Sequence, residues 1–164
     1  MSTENSAREK RTIEISENKV LKLHRVFKKT LSEKENQELP RTLQLIQGFI
    51  KARGLKTKGP LITLSKPASR DGTTVIETSI LCQLEQSPHM KLEYPYEYDE
   101  ELRVGNCLYA RFTGLQQHLQ IAAAKMQVYA YENYLTLSGN TYTVFLAKEE
   151  GVFMCDIFAE VADE

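Results

Sequence analysis

The chain has 164 residues, with 21 Lys and Arg against 22 Asp and Glu and 41% hydrophobic residues. That length buries a full core in one domain or two intimate halves. The near-neutral balance argues against a nucleic-acid binder that works through a basic face. No stretch approaches the roughly 20 apolar residues of a membrane span, and residues 1–11 are polar and lack the apolar region of a secretory signal. They read as a disordered tail ahead of a single domain at 12–162, and the protein reads as cytoplasmic. Cys82, Cys107 and Cys155 are odd in number, far apart and set in apolar runs, which fits reduced core thiols and not a zinc site.

From Arg11 to Lys29, Ile13, Ile15, Leu21, Leu23 and Phe27 fall at odd positions around a polar break at Glu17-Asn18. This period of two predicts a long bent strand or a strand pair. A helix is predicted from about Asn36 to Arg53, where Leu39, Leu43, Ile46 and Ile50 form one apolar stripe. Pro40 suits its first turn, and Gly54 stands where a left-handed residue ends it. Strands are predicted at Leu61–Lys66 and Thr73–Leu84, joined through Pro67 to Gly72, with Asp71-Gly72 as the hairpin signal. In the second of these, Ile76, Ile80, Cys82 and Leu84 share a face with Thr78, while Glu77, Ser79, Leu81 and Gln83 point the other way.

Residues 86–101 hold Pro88, Pro95 and three tyrosines among acidic residues and read as a linker between halves. Half one then covers about 12–85 and half two about 102–162. Tyr94, Tyr96 and Tyr98 in the linker are candidate protein-contact residues, since exposed tyrosines flanked by charge are common at interfaces. In half two, Leu102–Thr113 reads as a strand and about Leu115 to Tyr134 as a helix with Leu119, Ala122, Met126, Tyr129 and Ala130 on one face. A hairpin follows at Thr141–Ala147 and Gly151–Val161.

The halves can be laid over one another in sequence. Leu55-Lys56-Thr57-Lys58-Gly59-Pro60-Leu61-Ile62-Thr63 lies over Leu135-Thr136-Leu137-Ser138-Gly139-Asn140-Thr141-Tyr142-Thr143, and Ile76-Glu77 falls near Cys155-Asp156. A period this long predicts a duplicated domain and not a solenoid. The expected fold class is α+β: tandem pseudo-symmetric βαββ repeats that form one antiparallel sheet with two long helices packed on one face.

Three segments, Gly54-Leu55 through Gly59-Pro60-Leu61, Leu108 to Tyr134, and Cys155-Asp156-Ile157-Phe158-Ala159-Glu160-Val161, carry a family resemblance. The chain resembles the gyrase-inhibitor-like superfamily, which includes effector-binding domains of multidrug-responsive transcription regulators and the haem-binding SOUL proteins. Family members often finish with an acidic residue, apolar residues and a proline-valine pair; here Glu160 stands where the proline would be. The resemblance implies a ligand pocket in which a buried carboxylate ringed by aromatics receives lipophilic cations. Asp156 matches that carboxylate and Glu77 is its expected repeat partner, with Tyr142, Phe112, Met126 and Tyr129 as candidate walls. Strict alternation, however, puts Asp156 opposite the apolar row Phe153, Cys155, Ile157, Ala159 and Val161, and Glu77 opposite its own row. Both carboxylates then read as exposed surface unless a bulge turns them inward.

No catalytic signature is present. His24, His89 and His118 are isolated, so no metal or haem ligation and no cofactor is expected. No serine or cysteine lies in a nucleophile motif. Some gyrase-inhibitor-like proteins are hydrolases that use a pocket tryptophan, and this chain has none. The reading is a non-enzymatic, stand-alone small-molecule-binding or sensing domain, monomeric or homodimeric, without direct nucleic-acid or membrane contact. The ligand pocket is expected in the groove between the two helices, and the alternative is a protein-interaction adaptor or secretion-associated chaperone that uses the same groove and sheet.

Overall fold

The computed structural model describes residues 13–163, so the predicted tail at 1–11 lies outside the described residues. The fold is α+β and mostly antiparallel strand. In chain order the elements are β1 Ile15–Thr30, α1 Glu33–Gln37, α2 Leu39–Ala52, β2 Thr57–Arg70, β3 Thr73–Leu84, β4 Tyr96–Leu115, a 3-10 turn at Gln116–His118, α3 Leu119–Glu132, β5 Leu137–Glu149 and β6 Val152–Val161. Among the described residues, no helix is long and apolar enough to cross a membrane.

The chain divides into two compact units. One is Lys22–Arg103, and the other joins Val104–Glu164 to the chain up to Leu21. The division therefore falls inside β1 and β4, and not in a linker. The stretch read as a linker is strand from Tyr96 onward. Its acidic residues obscure the pattern in sequence, but they serve as cross-strand partners: Lys28 pairs with Glu97 at 3.5 Å and Lys22 with Glu101 at 4.0 Å. Tyr96 and Tyr98, at strand spacing, turn toward the apolar core of the same unit.

In the Lys22–Arg103 unit, β3 pairs antiparallel with both β1 and β2. Phe27, Ile80 and Leu84 meet Ile46, Ile50 and Leu55 of the helix side in one apolar cluster. The predicted helix is split in two at Glu38, because Pro40 has no N–H to offer the carbonyl of Asn36 and its ring crowds that carbonyl. The first piece starts on a capping box. Glu35 N–H donates to Ser32 Oγ at 3.2 Å, and Ser32 N–H donates to Glu35 Oε1 at 3.0 Å. Gly54 follows α2 with φ +71°, as the left-handed ending predicts.

The β2–β3 hairpin is tighter than predicted. Arg70 pairs with Thr73, which leaves a two-residue turn at Asp71 (φ +52°) and Gly72 (φ +77°). Positive φ at both positions matches the right-handed strand twist, so Pro67–Arg70 continue as strand. A Cβ at Gly72 would meet open space, so Gly72→Ala should cost only the left-handed strain, about 1–2 kcal/mol. Urea denaturation of the variant checks this.

In the other unit β6 pairs antiparallel with β4 and β5. Leu108, Ala110, Phe112, Ile157 and Ala159 of the strands pack under Ala122, Met126 and Ala130 of α3. The order strand, helix, hairpin recurs, and so do local details. Leu55 N–H donates to Ile50 O, and Leu135 N–H to Ala130 O. Each hairpin's first strand breaks register at a positive-φ glycine, Gly59 or Gly139, and Glu150-Gly151 turns with the same signs as Asp71-Gly72.

In both units part of the sheet face away from the helix is also buried. Val26, Ile62, Leu64, Ser79 and Leu81 lie on that face in the first, and Cys107, Tyr142 and Val144 in the second. The sequence expectation of a solvated second face is thus corrected.

Candidate functional site

The site is built on the second face of β4, β6 and β5, where residues directly opposite in antiparallel register share a side. Arg111, Asp156 and Val144 make one transverse row. Tyr109, Phe158 and Tyr142 make the next, and Cys107 and Glu160 the third. An aromatic row therefore lies between two carboxylates.

Asp156 is the centre of the polar contacts. Arg111 donates to it from two nitrogens, Nε to Oδ1 at 2.8 Å and Nη2 to Oδ2 at 3.1 Å, and Tyr109 Oη donates to Oδ1 at 2.7 Å. The Asp156 side chain is only 15% exposed, whereas that of Arg111 is 52% exposed. Burial pushes the Asp156 carboxyl upward, but the bonds from Arg111 and Tyr109 outweigh it and hold the group below its ordinary range. Tyr109 is pushed up by burial and by its bond to the carboxylate. Its ring tilts against Phe158 with centroids 5.1 Å apart, a favourable aromatic geometry. Asn140 Nδ2 donates to Glu160 at 3.2 Å. Burial and then the Glu160 charge push Tyr142 up, and the same two influences push the Cys107 thiol up to about 11.

The sequence-predicted residues are only partly brought together. Asp156 and Tyr142 share the second face, one row apart. Phe112 of β4 and Met126 of α3 are residues of the core between helix and sheet, on the opposite side. Tyr129 borders that core and donates its hydroxyl to Glu17 at 2.6 Å. Glu77 lies in the other unit, bound to Lys66 at 3.7 Å and Arg70 at 3.4 Å near the hairpin tip. Counted along the ladders, Thr63 faces Ile80 and Thr143 faces Ile157, so Ser79, opposite Leu64, stands at the rung that Asp156, opposite Val144, holds in the other unit. Ser79 is fully buried, and its hydroxyl meets the Thr30 hydroxyl at 3.3 Å.

Of the three linker tyrosines, Tyr94 is exposed. Tyr96 stacks on Phe49 with centroids 3.9 Å apart. Tyr98 donates to Glu100 at 2.9 Å. Arg111, Tyr109 and Phe158 were missed in sequence. Their signal was parity, since 109 and 111 alternate with the apolar 108, 110 and 112. Among the described residues, no group of three or more His, Cys, Asp or Glu is placed to hold a metal.

No protein-family model matches this sequence, and no curated protein matches it. Solved structures do share its fold. The EcmrR C-terminal domain matches with TM-score 0.68 and 12% identity over 93% of this chain and 99% of that one. EcmrR in its complex with DNA also matches at 0.68, with 10% identity over 99% of this chain. This chain spans 62% of the EcmrR chain in that complex. A hydrolase from Listeria innocua matches at 0.54 with 11% identity, over 98% of both chains. At such identities the likeness is one of fold: this chain has the architecture of the EcmrR C-terminal domain.

Proposed function

We propose that this chain is a non-catalytic small-molecule-binding protein whose ligand is a lipophilic cation held at Asp156. The observation that carries the reading is a mostly buried carboxylate beside an aromatic row, paired with a guanidinium that is itself half exposed. A desolvated carboxylate requires a positive partner. Arg111 fills that role in the free protein and, being half in solvent, swings out at small cost. A bulky cation then takes its place, with the faces of Tyr109, Phe158 and Tyr142 attracting its charge. The resemblance to effector-binding domains supports this assignment of Asp156. The recurring local geometry further supports descent of the two units from one duplicated βαββ element.

Thermal shift and equilibrium dialysis with tetraphenylphosphonium, against neutral triphenylphosphine oxide, test the proposal. Saturable stabilisation by the cation alone is expected, with at least a tenfold loss of affinity in Asp156→Asn. Equal binding of the neutral compound, or an unchanged affinity in the variant, sinks it. A second reading, a protein-interaction module, draws on the outer side of α3, where Ile121, Val128 and Tyr131 are exposed. Stabilisation by a co-purified protein, with none by the cation, favours that reading.

A further inference from the structure

Within the Lys22–Arg103 unit, a cavity of about 180 Å³ lies between α2 and the strands β2 and β3. Its existence follows from the strand ladder. β2 and β3 are in register at Lys58–Gln83 and again at Ile62–Leu81. Three residues, Gly59, Pro60 and Leu61, therefore span the distance that β3 covers with Cys82 alone. Gly59 takes φ +81°, and Pro60 has no N–H to return to the ladder, so the strand bulges and leaves space under the helix.

The walls are Leu43, Ile46, Ile50, Leu61 and Ile80, with Cys82 on the sheet side, and Gln47 and Thr57 bring amide and hydroxyl groups to the lining. Among the described residues, no charged side chain lines it. An apolar cavity of about 150 Å³ is large enough to take a benzene ring. We propose that this cavity is a second ligand site, independent of Asp156, for a small neutral molecule of about one aromatic ring carrying one hydrogen-bonding group. An ion is disfavoured there because no opposite charge would offset its desolvation. The polar groups of Gln47 and Thr57 meet the single polar group of such a molecule, as sparse polar groups orient ligands in apolar sites.

Cys82 is a built-in reporter. It is partly accessible, whereas Cys107 and Cys155 are buried, and burial pushes its thiol up to about 11, so alkylation is slow and easily timed at about pH 8.5, where a phenol is still neutral. Using the full chain and p-cresol as the probe, iodoacetamide modification of each cysteine is followed by mass spectrometry. Alkylation of Cys82 should slow about tenfold once p-cresol exceeds its dissociation constant about tenfold, while Cys107 and Cys155 keep their rates. The charged analogue 4-methylbenzoate should not protect. Leu43→Phe, which places a ring in the cavity, should abolish the response to p-cresol, and Asp156→Asn should leave it intact. No protection of Cys82, equal slowing of all three cysteines, equal protection by 4-methylbenzoate, or loss of protection in Asp156→Asn overturns the proposal. The wild-type measurement decides even where Leu43→Phe fails to fold.

Discussion

Alanine in place of Phe27 should lower stability by about 3–5 kcal/mol, the cost of removing a fully buried aromatic ring and leaving a void. Phe27 is wholly inaccessible and is the floor of an aromatic cluster. Its ring lies 5.8 Å from both Phe49 of α2 and Tyr96 of β4, and those two rings stack on each other. Lys29, whose ammonium sits 5.3 Å from the Tyr96 ring, is ion-paired with Glu35 of α1. The cluster thus joins the strand core to both helices of its unit and to the start of β4. At roughly 2–4 °C per kcal/mol for a chain of this size, the unfolding midpoint should fall by roughly 10 °C. Calorimetry measures it. A loss below about 1 kcal/mol would mean that the cluster closes over the gap, and Phe27→Leu, which keeps much of the volume, should fall well short of the alanine effect.

Arg111→Met should weaken the fold and strengthen cation binding together. In the wild type, burial raises the Asp156 carboxyl while Arg111 and Tyr109 pull it below its ordinary range. A folded-state pKa below the unfolded one adds stability that is present above the unfolded value and is lost as pH falls through the folded one. Without Arg111 the upward push of burial meets only the Tyr109 bond, and the carboxyl rises. The wild type should therefore be more stable than Arg111→Met at pH 7, and the gap should shrink below about pH 4, where the carboxyl is protonated in the unfolded chain. Urea titrations across pH 3–7 read this directly, and a gap that does not depend on pH would assign the loss to packing. Because Arg111 competes with the ligand in the proposed site, its removal should raise tetraphenylphosphonium affinity on the order of tenfold. Lowered affinity would show that Arg111 helps to hold the ligand instead.

The two variants bear on different levels of the molecule. Phe27 concerns a core that any ligand reading leaves intact. Arg111 concerns an ion pair in which only the carboxylate is mostly buried, and such a pair is weak evidence for stability.

The sequence by itself determined what depends on neighbours along the chain. Asp71-Gly72 turns because left-handed backbone is cheap at those residues, the Leu43, Ile46 and Ile50 stripe packs because helical spacing aligns it, and Gly54 ends α2 for the same local reason as Gly72. Alternation also told the side of the sheet correctly: Asp156 does face away from the helix-covered core. Only the tertiary structure decided whether that side meets water. Parity states which way a side chain points and not what lies over it, so the burial of the second face was invisible. Arg111 and Asp156 are separated by 45 positions, and their pairing exists only once β4 and β6 are in register. The bulge at Gly59 acts likewise: it opens a cavity, and its two added residues count as added only against a partner strand that the local sequence does not contain.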